Sequence, residues 1–229
     1  MENSITVVIP SKEKYDERSK LIQSIQETCG CECHICFMFN PDGMPLTRIY
    51  HDALDNKPNT PDNIIVYMHD DIEFLKKGWG KEIVRLFNEH PDYGIIGIAG
   101  SAEFDASAAW WNYKKIYGQV LHRHDGKSWL TAFSPLLDKD LEEVCVVDGL
   151  FFGVHKQRIS KGFDTNINGF NFYEIDFCLN NFIDKKTKIG VTTNIRVAHN
   201  SIGELKPEWY GNREYVNEKY KQYYPIKVK

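Results

Sequence analysis

Four short apolar runs, "ITVVI" at 5–9, "HICFMF" at 34–39, "NIIVYMH" at 63–69 and "YGIIGIAGS" at 93–101, constrain this chain most. Each is too short for a helix and rich in β-branched or aromatic residues, the pattern of a strand buried on both faces. The intervals carry helical spacing. Leu21, Ile22, Ile25 and Cys29 fall on one face of a helix over about 12–29, and Gly30 is placed to end it. "PLTRIYHDAL" opens with Pro45 at a first helical turn, and "WGKEIVRLFNEH" makes a third helix. Strand–helix alternation over a hundred residues predicts an α/β fold with a mixed, mostly parallel central sheet flanked by helices and right-handed crossovers. Such sheets bind ligands beyond the carboxyl ends of their strands. Two stretches occupy that position, Pro10–Ser11–Lys12–Glu13 after the first strand and His69–Asp70–Asp71 after the third.

The rhythm changes after residue 100. "GQVLHR", "VCVVDG" and "LFFGVHK" suit further short strands, a helix is expected over about 173–184, and an amphipathic segment over 207–224 ends the chain. Residues 101–135, with Trp110, Trp111 and Trp129, show no clear period and read as an insertion or flap. No linker-like stretch divides the chain. The expected organisation is one domain over 1–229, with a first half (1–100), a second half (101–205) and a C-terminal helical segment (206–229).

Bulk properties exclude some functions. A net charge of −4 and a pI near 6.1 leave no electrostatic footprint for nucleic acid, and "DKKTK" reads as a solvated turn. No apolar run reaches the roughly 20 residues of a membrane helix, and "MENSITVVIPSKEK" lacks the pattern of a secretory leader. Six cysteines without such a leader point to a reducing, cytoplasmic setting. Four of them crowd into "CGCECHIC". On an extended strand Cys31 and Cys33 face one way, while His34 and Cys36 face the other. The sequence therefore reads as core, with the ligands for a tetrahedral zinc diverging.

Adjacent carboxylates after a buried strand either cap the next element or hold a hard cation against phosphate oxygens. Read in order, "TVVIPS", "VYMHDDIEF", "YGIIGIAGS", "VVDGLFFGVHK", "GFDTNINGFNFYEIDFCLNN" and "VAHNSIG" resemble the GT-A glycosyltransferases, specifically the family-2-like group with a His-Asp-Asp metal motif. The resemblance runs from about Thr6 to Gly203. It implies a nucleotide-diphospho-sugar transferase with a Rossmann-like, GT-A fold that uses a divalent metal, Mn2+ or Mg2+. The donor would be a nucleotide sugar, UDP-linked by expectation, and the acceptor a glycan or glycoconjugate.

Carried over, Asp71 and His199 take the metal. Pro10, Ser11, Glu13, Asn40 and Asp70 border the nucleotide; Asp70, pointing away from Asp71 on an extended chain, meets the ribose or orients a neighbour. Asp148, Trp110, Trp111 and Gly169 adjoin the acceptor or donor sugar. An inverting reaction needs a carboxylate base, and Glu174 and Asp176 are the candidates, Glu174 first because it lies off the apolar face of its helix. Alternatives are a metal-dependent nucleotide-sugar phosphohydrolase or nucleotidyltransferase, and a non-catalytic sugar-nucleotide-binding module. Peripheral membrane association and oligomeric state stay open.

Overall fold

The computed structural model describes residues 3–56, 58–184, 187–202, 205 and 207–229. Gly203, the end of the motif series, and part of "DKKTK" lie outside the described residues. The first half follows the expected order. Strand β1 (Ser4–Ser11) leads to helix α1 (Tyr15–Cys29), then β2 (Glu32–Phe39), α2 (Leu46–Asp55) and β3 (Ile64–Met68). Gly30 ends α1 in the left-handed region at φ 82°. A Cβ there would also lie 2.9 Å from the Gly78 backbone, so glycine meets both demands. The chain continues with β4 (Ile72–Phe74), α3 (Trp79–Glu89) and β5 (Tyr93–Gly97). The expected strand "YGIIGIAGS" divides at Ile98. β5 stays in the first sheet, whereas β6 (Ala99–Ser101) joins a second one.

The remaining strands are β7 (Glu103–Phe104), β8 (Ile116–His124), β9 (Lys127–Ala132), β10 (Glu142–Val144), β11 (Val146–Val147), β12 (Phe151–His155), β13 (Lys188–Val191), β14 (Val197–His199) and β15 (Ile226–Lys227). Helices α4 (Tyr173–Ile183) and α5 (Pro207–Tyr220) complete the set. Seven strands form the main sheet in the order β10-β13-β5-β12-β3-β1-β2, and five align as β11-β6-β8-β14-β4, with β9 paired to β8. Buried apolar side chains from both sheets and all five helices form one cluster.

The expectation of a mostly parallel sheet is corrected by the pairing. Among the described residues four strand pairs are parallel and eight antiparallel. Strands β1, β2 and β3 are joined by crossover helices and pair in parallel, whereas β12 returns from the second sheet with no crossover α-helix after β5 and is free to run against its neighbours. β12 is reached from β11 through Asp148–Gly149–Leu150 and enters the main sheet antiparallel to both β3 and β5. The 101–135 segment, read as an unpatterned flap, contains a hairpin whose turn is Asp125–Gly126, at φ 50° and 71°. Two positive φ angles in a two-residue loop twist with the strands, and Asp-Gly is a preferred pair for it.

Candidate active site

Strand β3 ends at Met68, and His69, Asp70 and Asp71 follow in the short link to β4. Antiparallel pairing of β14 with β4 sets His199 opposite Ile72, and Asn200 N–H donates to the Asp71 carbonyl at 2.9 Å. His199 Nε2 thereby comes to 3.3 Å from Asp71 Oδ2. His69, Asp71 and His199 each offer a ligand atom, all within 4.8 Å of one another. Burial pushes the Asp71 carboxyl up, but the His199 and His69 imidazoles and the Ser201 hydroxyl outweigh it and leave it at about 2. Asp71 is therefore anionic throughout the physiological range.

These residues fit a divalent cation. Asp71 Oδ1 is buried with no hydrogen-bond partner among the described residues, a cost that a bound cation removes. Two imidazoles with one carboxylate suit a first-row transition-metal dication better than Mg2+, which favours oxygen ligands. A supporting shell orients one ligand. Tyr173 Oη donates its single proton to the Gly149 carbonyl at 2.9 Å and lies 3.1 Å from His69 Nε2. The phenol thus accepts from His69 Nε2–H, which leaves Nδ1 with the lone pair. Gly149 makes room for this contact, since a Cβ there would lie 2.2 Å from Tyr173 Oη.

Two cavities meet at His69 and Phe170. One, of about 310 Å³, is lined by Pro10, Ser11, Glu13, Asn40, Asp70 and Asp71, with Lys12 and Arg18. Asp70 accepts from Ser11 Oγ and pairs with Arg18 Nε at 3.4 Å. Asn40 spends its amide on the Met44 backbone, accepting from N–H at 2.7 Å and donating to C=O at 2.9 Å. The second cavity, of about 450 Å³, is lined by Trp110, Trp111, Asp148, Glu174 and His199. Gly169, at φ 75°, packs against Glu208 and lines neither cavity.

The two candidate bases differ sharply in surroundings. Glu174 stands in the first turn of α4, buried, with Oε2 unpartnered among the described residues. Burial, then the nearby Asp148 carboxylate, push it up to about 8. Asp176, fully buried, accepts from Lys219 Nζ at 2.7 Å, Tyr220 Oη at 2.8 Å and Asn180 Nδ2 at 3.0 Å. It lines neither cavity and ties α4 to α5.

Sequence reasoning overlooked His69 as a ligand, although the signal was present. The alternation that separates Asp70 from Asp71 places His69 on the side of Asp71. Tyr173 carried no local signal, because its contact with His69 arises from helix docking. Of the cysteine stretch, Cys29 ends α1 in the core, while Cys33 and Cys36 lie on β2, an edge strand, and with Cys31 just before it are half-buried. Cys29 and Cys31 do not diverge, their Sγ atoms lying 3.6 Å apart beside Gly80.

Known proteins share this arrangement of strands. A197 from STIV is 13% identical over 87% of this chain and 86% of its own, with a TM-score of 0.50. GalNAc-T7, solved with UDP, GalNAc and Mn2+, is 10% identical over 91% of this chain and 47% of its own, at 0.52. The mannosyltransferase PcManGT from Pyrobaculum calidifontis, solved with GDP-Man and Mn2+, is 9% identical over 96% of this chain and 70% of its own, at 0.51. The chain thus spans about half of GalNAc-T7 and most of the other two. At these identities the likeness establishes a GT-A-like fold. No curated protein matches the sequence. The model of the glycosyltransferase-like family matches residues 4–220, nearly the whole length, and the chain belongs to that family.

Proposed function

We propose that this chain moves a sugar from a nucleoside-diphosphate donor to a hydroxyl of a glycan or glycoconjugate. The observation that carries the reading is the His69–Asp71–His199 cluster at the junction of two cavities, with the Glu174 carboxyl in the second. A divalent cation there would supply Lewis-acid stabilisation of the departing diphosphate. Lys12 and Arg18 add positive charge to the cavity beside Asp71, and Ser11, Glu13 and Asn40 border the space for base and ribose.

The acceptor hydroxyl enters from the second cavity. Its oxygen bonds to the anomeric carbon as the bond from that carbon to the diphosphate breaks, and its proton passes to Glu174. A carboxyl raised toward neutrality is a stronger base than an exposed one once ionised, which matches this task. Asp176, held by Lys219 and Tyr220, acts as a positioning residue for α4 and so for Glu174. A carboxylate base opposite the leaving group implies inversion at the anomeric carbon.

A thermal-shift screen of nucleoside diphosphates with and without Mn2+ tests this reading. A ligand selective for the folded state raises the melting point by mass action, so the screen identifies the base and the ion together. No shift with any nucleotide–ion pair would refute it. Hydrolysis of nucleotide sugar that no acceptor stimulates would move the chain to the phosphohydrolases.

A further inference from the structure

The second cavity is built for one class of acceptor. Its wall is aromatic and mutually braced. Trp110 packs against Trp111 at 6.0 Å and Phe133 at 5.0 Å, and Trp209 packs against Trp111 at 6.4 Å and Phe172 at 5.3 Å. Trp110 and Trp209 are buried and Trp111 is half-buried, so Trp111 presents ring surface to the opening. Rings of this kind cover the apolar C–H face of a pyranose and turn its hydroxyls to the opposite side.

Hydrogen-bond acceptors share this lining. Asp148 and Glu174 contribute carboxyl oxygens, and His122 contributes a nitrogen. His122 lies on β8, opposite Trp129 of β9, and their rings stack at 5.3 Å and 17°. The His199 ring is 5.6 Å away. Nδ1 of His122 is buried and unpartnered among the described residues. The ring's hydrogen bond to the Ser201 backbone therefore uses Nε2–H, and Nδ1 keeps its lone pair. Glu174 Oε2 is the second buried atom without a partner in the same lining. Each gains when a hydroxyl donates to it.

Given the transferase reading, on which this rests, we infer that the acceptor is a non-acidic, hydroxyl-rich saccharide, stacked on Trp111 and read by hydroxyl donation to Asp148, Glu174 and His122. The Asp148 carboxylate opposes an acidic sugar or phosphate. His122 is a specificity-determining residue held in place by Trp129.

An array of neutral glycans and their sialylated and uronic-acid counterparts tests this, probed with the full chain in Mn2+ and nucleoside diphosphate. Neutral glycans should be retained and their acidic counterparts not. H122F keeps a flat ring against Trp129 but removes the acceptor nitrogen, and W111A removes the platform. Each should lower glycan retention at least tenfold, while the thermal shift from Mn2+ with nucleoside diphosphate stays unchanged. Preferential retention of acidic glycans, or retention insensitive to both substitutions, would overturn the inference. So would a chain that binds ion and nucleotide but no glycan, and in that case the transferase reading survives. A chain that binds neither ion nor nucleotide overturns both.

Discussion

Replacing Glu174 by glutamine separates catalytic use of this carboxyl from its structural cost. In the ion-free protein its folded-state value is about 8 against an ordinary 4.5, because burial and then Asp148 disfavour the anion. Between those two values the folded chain holds a proton that the unfolded chain has released. Stability therefore falls as pH rises, by about 1.4 kcal/mol per unit, and levels off above the folded value. At pH 7 the accumulated loss is about 3 kcal/mol, an order-of-magnitude figure from the same linkage. Glutamine has the shape and no charge, so E174Q should lack this slope. Urea unfolding in chelator at pH 5, 6, 7 and 8 gives the comparison. The difference between E174Q and the native chain should swing toward E174Q by several kcal/mol over that range, on the order of 1.4 per unit. A constant offset can arise because the new amide needs partners, and only the slope is diagnostic. The same variant should keep the nucleotide–Mn2+ thermal shift and lose transfer by at least about a hundredfold, the scale of general-base catalysis. Parallel stability profiles would refute the buried-carboxyl argument, and a fully active E174Q would remove Glu174 as the base.

D71A and H69A should each abolish the Mn2+-dependent part of the nucleotide thermal shift, and an undiminished shift in H69A would take that imidazole out of the cluster. Y173F leaves the ring packed but deletes the hydroxyl that receives His69 Nε2–H. Loss of such an orienting partner typically weakens metal binding about 10–100-fold, so Mn2+ titration of Y173F against the native chain checks the assigned tautomer. K219M leaves the fully buried Asp176 carboxylate with hydrogen bonds but no ionic partner among the described residues and should destabilise the chain by about 3–5 kcal/mol in urea unfolding. A loss below about 1 kcal/mol, the range of an exposed pair, would show that Asp176 is not held by Lys219.

Much of the first hundred residues was legible because the signals there are local. Short apolar runs, a glycine at a helix end and a proline at a helix start each act within a few residues. The ligand position after β3 follows from the same pattern. Where the signal depended on pairing, legibility failed. "YGIIGIAGS" is a uniform run in sequence and yet feeds two sheets, since nothing local says that a strand changes partners at Ile98. The antiparallel entry of β12 between β3 and β5 reverses the expected direction of the sheet for a similar reason.

By itself the sequence determined which carboxylates stand at the carboxyl end of β3, because backbone alternation and helix periodicity are properties of neighbouring residues. It ranked Glu174 before Asp176 on one helix but gave neither acid its partners. Only the tertiary structure supplied these, sending Asp176 to Lys219 and Tyr220 and leaving Glu174 Oε2 unpartnered among the described residues, beside Asp148. It likewise brought His199 across more than a hundred residues to Asp71, through the pairing of β14 with β4. Charge, burial and distance between remote residues set the chemistry of this site, and none of them is a property of neighbours in the chain.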